Sequence, residues 1–211
     1  MEQKSPSSKE QSKEKSKQKF LAAVGKILKT KGFAGLKVNA IAEAAGLDKK
    51  LIYKYFGGTD QLLDTYLSTK DFWSNVKGDR IPKDIKDGGQ EFSKELVSAQ
   101  FDYMFRDKEY QKIILWRLSE QRKSLQRLTT TQEEVGEVIL QNITDPFFGD
   151  NADMYRAVMA ILVSGVYYLN LTTDVNGSIF CGLDLNEESG RAKIEKALHF
   201  LIDQTYNITK D

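Results

Sequence analysis

Apolar residues recur every three or four positions along most of this chain, which is the spacing of one face of an α-helix. Short polar breaks containing Gly or Pro separate these stretches, and no stretch alternates apolar with polar residues as a half-buried strand would. A break is expected at Asp145 and Pro146 together with Gly149 and Asp150. The pattern therefore predicts an all-α protein. After residue 59, the predicted helices cover residues 60–75, 90–106, 110–121, 125–143, 153–173 and 187–206.

Residues 38–56 have the spacing of two short helices packed across a glycine turn. The small and apolar positions on one face of the first helix are Ile41, Ala42 and Ala45. Gly46 stands where the chain needs a left-handed residue, and Asp48 can cap the second helix by accepting backbone N–H bonds. Ile52 and Phe56 continue a buried stripe along that second helix. These features predict a helix-turn-helix.

The other face of the second helix carries side chains suited to DNA. They are Lys49, Lys50, Tyr53 and Lys54. Lysines bind phosphate oxygens and the guanine acceptors of a major groove. An ordinary helical hairpin would share the small residues, and lysines on a helix are often only a solvated face. Because the lysines directly follow the turn and share a short helix with an exposed tyrosine, we expect DNA contact.

The helix-turn-helix pattern belongs to a longer run of characteristic residues. The run comprises Phe20, Val24 and Leu28 in a long first helix, Lys31 to Phe33 at its end, Ile41 with Ala42, Gly46, the segment from Ile52 to Phe56, and Leu62 in the fourth helix. With these residues, positions 17–67 resemble the N-terminal DNA-binding domain of the TetR family of transcriptional regulators. The exposed face of the second helix and the family resemblance together predict the residues that bind DNA. They are Lys37, Lys49, Lys50, Leu51, Tyr53, Lys54 and Tyr55.

Several residues depart from the family pattern. Family members commonly carry Thr where this chain has Lys37, and that hydroxyl caps the helix and touches phosphate. Lys37 can contact phosphate but cannot accept a bond from the helix N–H groups. Thr59 replaces a phosphate-binding lysine, whereas Lys50 adds a charge inside the second helix. The operator sequence is therefore not transferable from relatives.

Charge is concentrated at the N-terminal end. Residues 1–58 hold thirteen Lys and five Asp or Glu, giving +8, whereas the whole chain has 31 − 30 = +1. Such polarity steers a polyanion to one part of the molecule. Residues 1–16 are almost without apolar groups, so we predict a disordered basic arm. The arm is either a phosphate-binding segment or a solubilising tail.

The resemblance implies a C-terminal helical domain for effector binding and dimerisation, which we place at residues 68–211. Residues 157–171 are apolar nearly all round, so something must cover both sides of that helix. At fifteen residues this stretch is shorter than the roughly 20 that span a bilayer, so we expect no membrane contact. Two helices from each of two chains would form a four-helix dimer interface; the alternative is a monomer core. The predicted interface residues are Ala157, Ala160, Ser164, Gly165, Leu198, Leu201 and Ile202.

Aromatic and soft apolar side chains of this domain suit a pocket for a hydrophobic or planar small molecule. The pocket candidates are Phe72, Phe101, Phe105, Trp116, Met159 and Tyr167. Most of them must be core, and the sequence does not choose among them.

No enzymatic chemistry is indicated. The chain has no phosphate-binding glycine loop or metal-ligand cluster, and Cys181 and His199 are each single. We therefore predict no catalytic residue, metal or cofactor. A lone cysteine favours a reducing, cytoplasmic location. The sequence predicts a homodimeric repressor that binds double-stranded operator DNA and is released by a small molecule. The alternative is a helical ligand-binding or adaptor protein without sequence-specific DNA binding.

Overall fold

The computed structural model describes residues 8–70, 85–173 and 177–208, most of which are helical. The α-helices are α1 Ser8–Lys31, α2 Val38–Ala45, α3 Lys50–Phe56, α4 Thr59–Lys70, α5 Gln90–Arg106, α6 Lys108–Ser119, α7 Lys123–Ile139, α8 Asp145–Phe148, α9 Ala152–Thr172 and α10 Glu188–Ile208. A small antiparallel hairpin joins β1 Ile179–Phe180 to β2 Leu183–Asp184. Short 3-10 turns lie at Phe33–Gly35 and Gly149–Asn151, and a π-helical turn lies at Leu140–Thr144. The predicted all-α class is confirmed.

The described residues divide into two compact units. The first unit contains residues 8–70 and 112–130, and the second contains residues 85–111, 131–173 and 177–208. The predicted boundary after residue 67 had placed residues 112–130 with the C-terminal domain. Helical periodicity shows which side of a helix is buried but not what buries it, so this grouping could not be read from the sequence. Helices α6 and α7 each supply residues to both units.

Residues 8–16 form the first turns of α1, which differs from the disordered arm predicted for residues 1–16. Residues 1–7 lie outside the described residues. The prediction considered burial alone, whereas Lys, Glu and Gln are good helix formers without it. Glu14 accepts a hydrogen bond from Gln18 Nε2 at 3.3 Å and lies 3.8 Å from Lys17 Nζ.

Helical backbone also continues through Asp145 and Pro146, where a break was predicted. Pro146 lies in the first turn of α8, where a missing backbone N–H removes no helical hydrogen bond. Helix α8 ends at Phe148, so the break falls at the predicted Gly149 and Asp150, where the φ of Gly149 is 51°. Arg156 of α9 donates to Glu137 at 2.7 Å and to Asp145 at 2.6 Å, and these hydrogen bonds raise the pKa of the guanidinium. This cluster fixes the α7 to α9 connection.

One apolar core holds the first unit together. The fully buried side chains of α1 to α4 include Phe20, Val24, Leu28, Ile41, Ile52, Leu62 and Leu63. Residues 112–130 complete the core with Ile113, Trp116, Leu125 and Leu128. Helices of seven or eight residues such as α2 and α3 are unstable alone, so tertiary packing maintains them.

Trp116 belongs to this first core and not to the predicted pocket of the C-terminal domain. Its ring stacks on Phe33 with centroids 6.1 Å apart, and its Nε1 donates to Glu120 at 2.5 Å. Two ion pairs in the same unit join the 112–130 segment to α4, namely Arg122 with Asp60 at 3.4 Å and Arg127 with Asp64 at 2.5 Å.

The second unit has its own core, in which α5 packs against α9 and α10. Its buried members include Val97, Phe101, Val166, Leu198, Ile202 and Tyr206. The Tyr206 hydroxyl donates to the Gly88 carbonyl oxygen at 3.0 Å, and Ser93 Oγ lies 2.8 Å from the Tyr155 hydroxyl. Burial raises the pKa of both tyrosines, so they remain neutral hydrogen-bonding groups.

Trp116→Ala should destabilise the first unit by about 3–5 kcal/mol, because truncating a fully buried Trp leaves a cavity in the core. Denaturant unfolding with intact and variant protein measures this. Trp116→Phe, which keeps the ring contact with Phe33, should cost less. Near-parental stability of Trp116→Ala would contradict the core assignment.

Candidate nucleic-acid interface

A glycine turn joins α2 to α3. Gly46 has a φ of 64° and a ψ of 35°, and its N–H donates to the carbonyls of Ala42 and Glu43. A side chain is strained in this left-handed conformation, which explains the glycine. Asp48 Oδ1 then accepts the Lys50 N–H at 2.8 Å, which is the helix-start contact expected from the sequence.

Helix α3 has one buried and one exposed side. Ile52 is fully buried, and the Phe56 ring meets the Phe20 ring of α1 edge-on, with centroids 6.2 Å apart. The opposite side exposes Lys50, Tyr53 and Lys54, with 55% of Tyr53 accessible. The core thus presents a polar, basic face of α3 to solvent.

The remaining predicted α3 residues are less exposed. Leu51 and Tyr55 are half-buried and pack against the first core, so only their edges are available to a partner. Lys54 Nζ lies 5.9 Å from the centroid of the Tyr55 ring. This contact holds the lysine beside the aromatic side chain.

Lys49 makes a contact that sequence reasoning missed. Its Nζ donates to Asn39 Oδ1 at 3.1 Å, which ties the turn to the first turn of α2. Asn39 is exposed and carries an amide that can donate to phosphate or to a base edge. Lys49 and Asn39 are ten residues apart in sequence. The only sign of their contact in the sequence was a polar residue in the first turn of α2.

The start of α2 is also suited to an anion. Lys37 occupies the cap position with φ −102° and ψ 144°, and no side chain accepts a bond from the first N–H groups of the helix. Free N–H groups at a helix start attract phosphate, and an exposed lysine beside them adds charge. The α2 start and the exposed α3 side together can bind phosphates and reach base edges.

The predicted pocket residues do not form one site. Trp116 lies in the first unit, and Phe72 lies outside the described residues. The other four belong to the second unit, where Phe101 is buried in the core and the rest are half-buried: Phe105, Met159 and Tyr167.

Polar side chains that sequence reasoning missed lie among these four. Gln100 is fully buried, and its Nε2 donates to the Tyr167 hydroxyl at 2.8 Å, while its Oε1 has no hydrogen-bond partner. Arg191 lies 4.0 Å from the centroids of both the Phe101 and Phe105 rings. Burial lowers the pKa of Arg191 from its usual value.

The predicted dimer residues fall on two different sides of their helices. Ala157, Ala160, Ser164 and Leu201 are exposed, and the position of a Cβ on Gly165 would meet nothing within 4 Å. Leu198 and Ile202 instead lie in the second core, which corrects the prediction for these two. Both sides of α10 carry apolar residues, so the sequence could not distinguish the core side from the exposed one.

Large apolar side chains extend the exposed side. Met154, Ile161 and Tyr168 follow each other at seven-residue spacing along α9 and are 63%, 71% and 56% exposed, and Phe200 of α10 is 58% exposed. By length and composition alone, one stretch within Lys123–Thr172 is apolar enough to cross a membrane. A helix in a protein core can be equally long and apolar, and the other side of α9 packs in the second core.

No three His, Cys, Asp or Glu side chains in the described ranges come together to hold a metal ion. Cys181 is exposed in the hairpin turn. His199 Nε2 lies 2.8 Å from Ser98 Oγ between α10 and α5.

Comparison with known proteins supports the class of protein that this geometry defines. Residues 16–66 match the model of the bacterial regulatory proteins, tetR family. No curated protein matches the chain.

Two solved structures are similar over most of the chain. A proposed fatty acid metabolism regulator from Clostridium perfringens has 16% identity and a TM-score of 0.60, covering 88% of this chain and 97% of that one. A proposed TetR-family transcriptional regulator from Mesorhizobium loti has 16% identity and a TM-score of 0.46, covering 93% and 97%. The similarity to the first structure supports the fold, whereas the TM-score of the second is too low to support an argument.

The first unit is a helix-turn-helix domain of the type found in DNA-binding regulators. Its residues 16–66 match the tetR family model, which confirms the resemblance predicted from the sequence.

Replacing Lys49, Lys50 and Lys54 together with Ala tests the exposed side of α3. The melting temperature should hardly change, because exposed side chains seldom contribute more than about 0.5 kcal/mol. The slope of log affinity for DNA against log salt should flatten by about 0.9 for each phosphate that the variant no longer neutralises.

Ile52→Ala is the control from the buried side of the same helix. It should cost about 2–5 kcal/mol and lose DNA binding through local unfolding. A triple lysine variant with the parental salt slope would place the DNA contact elsewhere.

Proposed function

We propose that this protein is a ligand-responsive transcriptional repressor that binds operator DNA as a homodimer and leaves it when a small molecule binds. The observation that carries the proposal is the exposed basic side of α3, held outward by the buried contacts of Ile52 and Phe56. Lys37 and the open start of α2 add phosphate contacts. The recognition set is Lys37, Lys49, Lys50, Leu51, Tyr53, Lys54 and Tyr55.

The exposed side of α9 and α10 supports dimerisation. Met154, Ile161 and Tyr168 repeat at heptad spacing, and large exposed apolar patches mark interaction surfaces. Gly165 leaves open space between Ile161 and Tyr168 that allows a second helix to approach closely. A two-fold dimer places two α3 helices in major grooves about 34 Å apart or a multiple of that distance.

The second unit supports an effector site near Gln100. An unpaired buried oxygen is costly unless a ligand or water satisfies it. Tyr167 is the hydrogen-bond partner of Gln100, and Phe105 and Met159 add half-buried aromatic and thioether groups to the same unit. The expected effector is therefore apolar or aromatic and carries a hydroxyl or amine that donates to Gln100 Oε1.

Helices α6 and α7 provide the route from effector to DNA. Each is a continuous helix with residues in both units. In the first unit Trp116 of α6 reaches the core, and Arg122 between the two helices and Arg127 of α7 reach α4. An effector that favours a shifted α6 or α7 therefore changes packing in the unit that carries α3.

Gly165→Arg tests the dimer surface. A long charged side chain in a close helix contact creates a clash and a buried charge, so the dimer should dissociate at micromolar concentration. Light scattering measures the mass in solution.

Gly136→Arg on α7 is the matched control, because its Cβ position also meets nothing within 4 Å. Both exchanges replace a helical glycine with a better helix former, so neither should unfold the monomer. An unchanged dimer in Gly165→Arg, or equal loss in both variants, would contradict the assigned surface.

Gln100→Leu tests the effector site. A panel of apolar and aromatic alcohols and amines is first screened for compounds that release the parent protein from DNA. Removing the acceptor should weaken release by an active compound roughly tenfold, because an unpaired donor costs about 1–3 kcal/mol. DNA binding without the compound should remain parental.

Gln111→Leu is the control, because Gln111 is also buried but its Nε2 already donates to the Met104 carbonyl at 2.7 Å. That variant should lose stability without a selective effect on release. Equal responses of the two variants to the compound would move the effector away from Gln100.

A further inference from the structure

The first twelve residues of α1, Ser8–Lys19, extend beyond the core and are here called the helical arm. Phe20 is the first buried side chain of α1. Every residue of the arm is Ser, Lys, Glu or Gln, with five Lys against two Glu. At a rise of about 1.5 Å per residue the arm is about 18 Å long. Apolar packing therefore does not explain why the chain contains the helical arm.

Three lysines of the arm form a column on one side of the helix. Lys9, Lys13 and Lys17 are spaced four residues apart and so lie above one another, about 6 Å apart along the axis. Like charges at this spacing disfavour an isolated helix. Lys17 lies 3.8 Å from Glu14, so part of this charge is balanced within the helix, and a polyanion beside the column would neutralise the rest.

The column continues the buried side of α1. Lys13 precedes Phe20 by seven residues and Lys9 by eleven, which are close to two and three full turns. The Phe20 ring contacts Phe56, the last residue of α3. The column thus lies on the side of α1 that packs against the recognition helix, and it extends from Phe20 toward the N-terminal end of α1. Lys9 and Lys13 are exposed there.

We propose that the column of Lys9, Lys13 and Lys17 binds phosphates of the same DNA duplex that α3 reads, flanking the α3 contact. The partner is the sugar-phosphate backbone of double-stranded DNA, and the contact is independent of base sequence. The arm therefore lengthens the bound segment and adds affinity without changing the preferred sequence. This inference rests on the proposed operator binding by α3.

The opposite side of α1 offers a matched control. Lys15, Lys19 and Lys26 are exposed and lie close to one line about 140° around the helix from the column. Replacing either set of three lysines with Gln removes the same charge from the same helix and keeps its helix-forming character. The two triple variants therefore remove equal charge from different sides of α1.

The experiment measures affinity for the selected operator duplex against salt concentration. Neutralising the column should flatten the slope of log affinity against log salt by up to about 2.7, and neutralising the opposite side by less than about 0.9. On a duplex shortened to the α3 contact, the column variant and the parent should bind alike. Both should select the same base sequence.

The experiment distinguishes failure of the arm contact from failure of the proposed function. If the parent prefers its operator but both variants weaken equally, or neither weakens, the arm has no directed contact and this inference is overturned alone. If the parent shows no operator preference, the proposed function fails and the arm contact fails with it.

Discussion

The proposed DNA-facing surface depends on the burial of one side of α3. A seven-residue helix does not persist in water without tertiary contacts. Ile52 is enclosed by the first core, and the Phe56 ring meets Phe20 of α1, so the helix is fixed in rotation as well as in place. Lys50, Tyr53 and Lys54 are exposed because the other side is buried. The Gly46 turn sets the angle at which α3 leaves α2.

The same core also links DNA binding to the rest of the chain. Residues 112–130 are distant from the helix-turn-helix in sequence, yet Trp116 stacks on Phe33 immediately before α2. The basic helices therefore share their packing with the ends of α6 and α7. Under the proposed function, a ligand-dependent change in either helix alters the support of α3 without touching the DNA-facing side chains.

The sequence predicted those features that are periodic or local. The opposed positions of Ile52 and Lys50 follow from helix geometry, and the Gly46 turn and Asp48 cap follow from residue chemistry within a few positions. The sequence could not predict contacts between distant segments. The burial of Trp116 in the first unit and the pairing of Lys49 with Asn39 depend on tertiary packing. Likewise Leu198, Leu201 and Ile202 are all apolar residues of one helix, and only packing separates the exposed Leu201 from its buried neighbours.

The most direct measurement is selection of preferred sequences by the purified protein from random duplex DNA. The account predicts enrichment of an inverted repeat whose half-site centres lie about 10–10.5 base pairs apart or a multiple of that spacing, since two α3 helices of a two-fold dimer would each read one half-site. Recovery of no preferred sequence, with binding that only follows salt concentration, would contradict the account. The basic residues would then serve general charge attraction and not operator recognition.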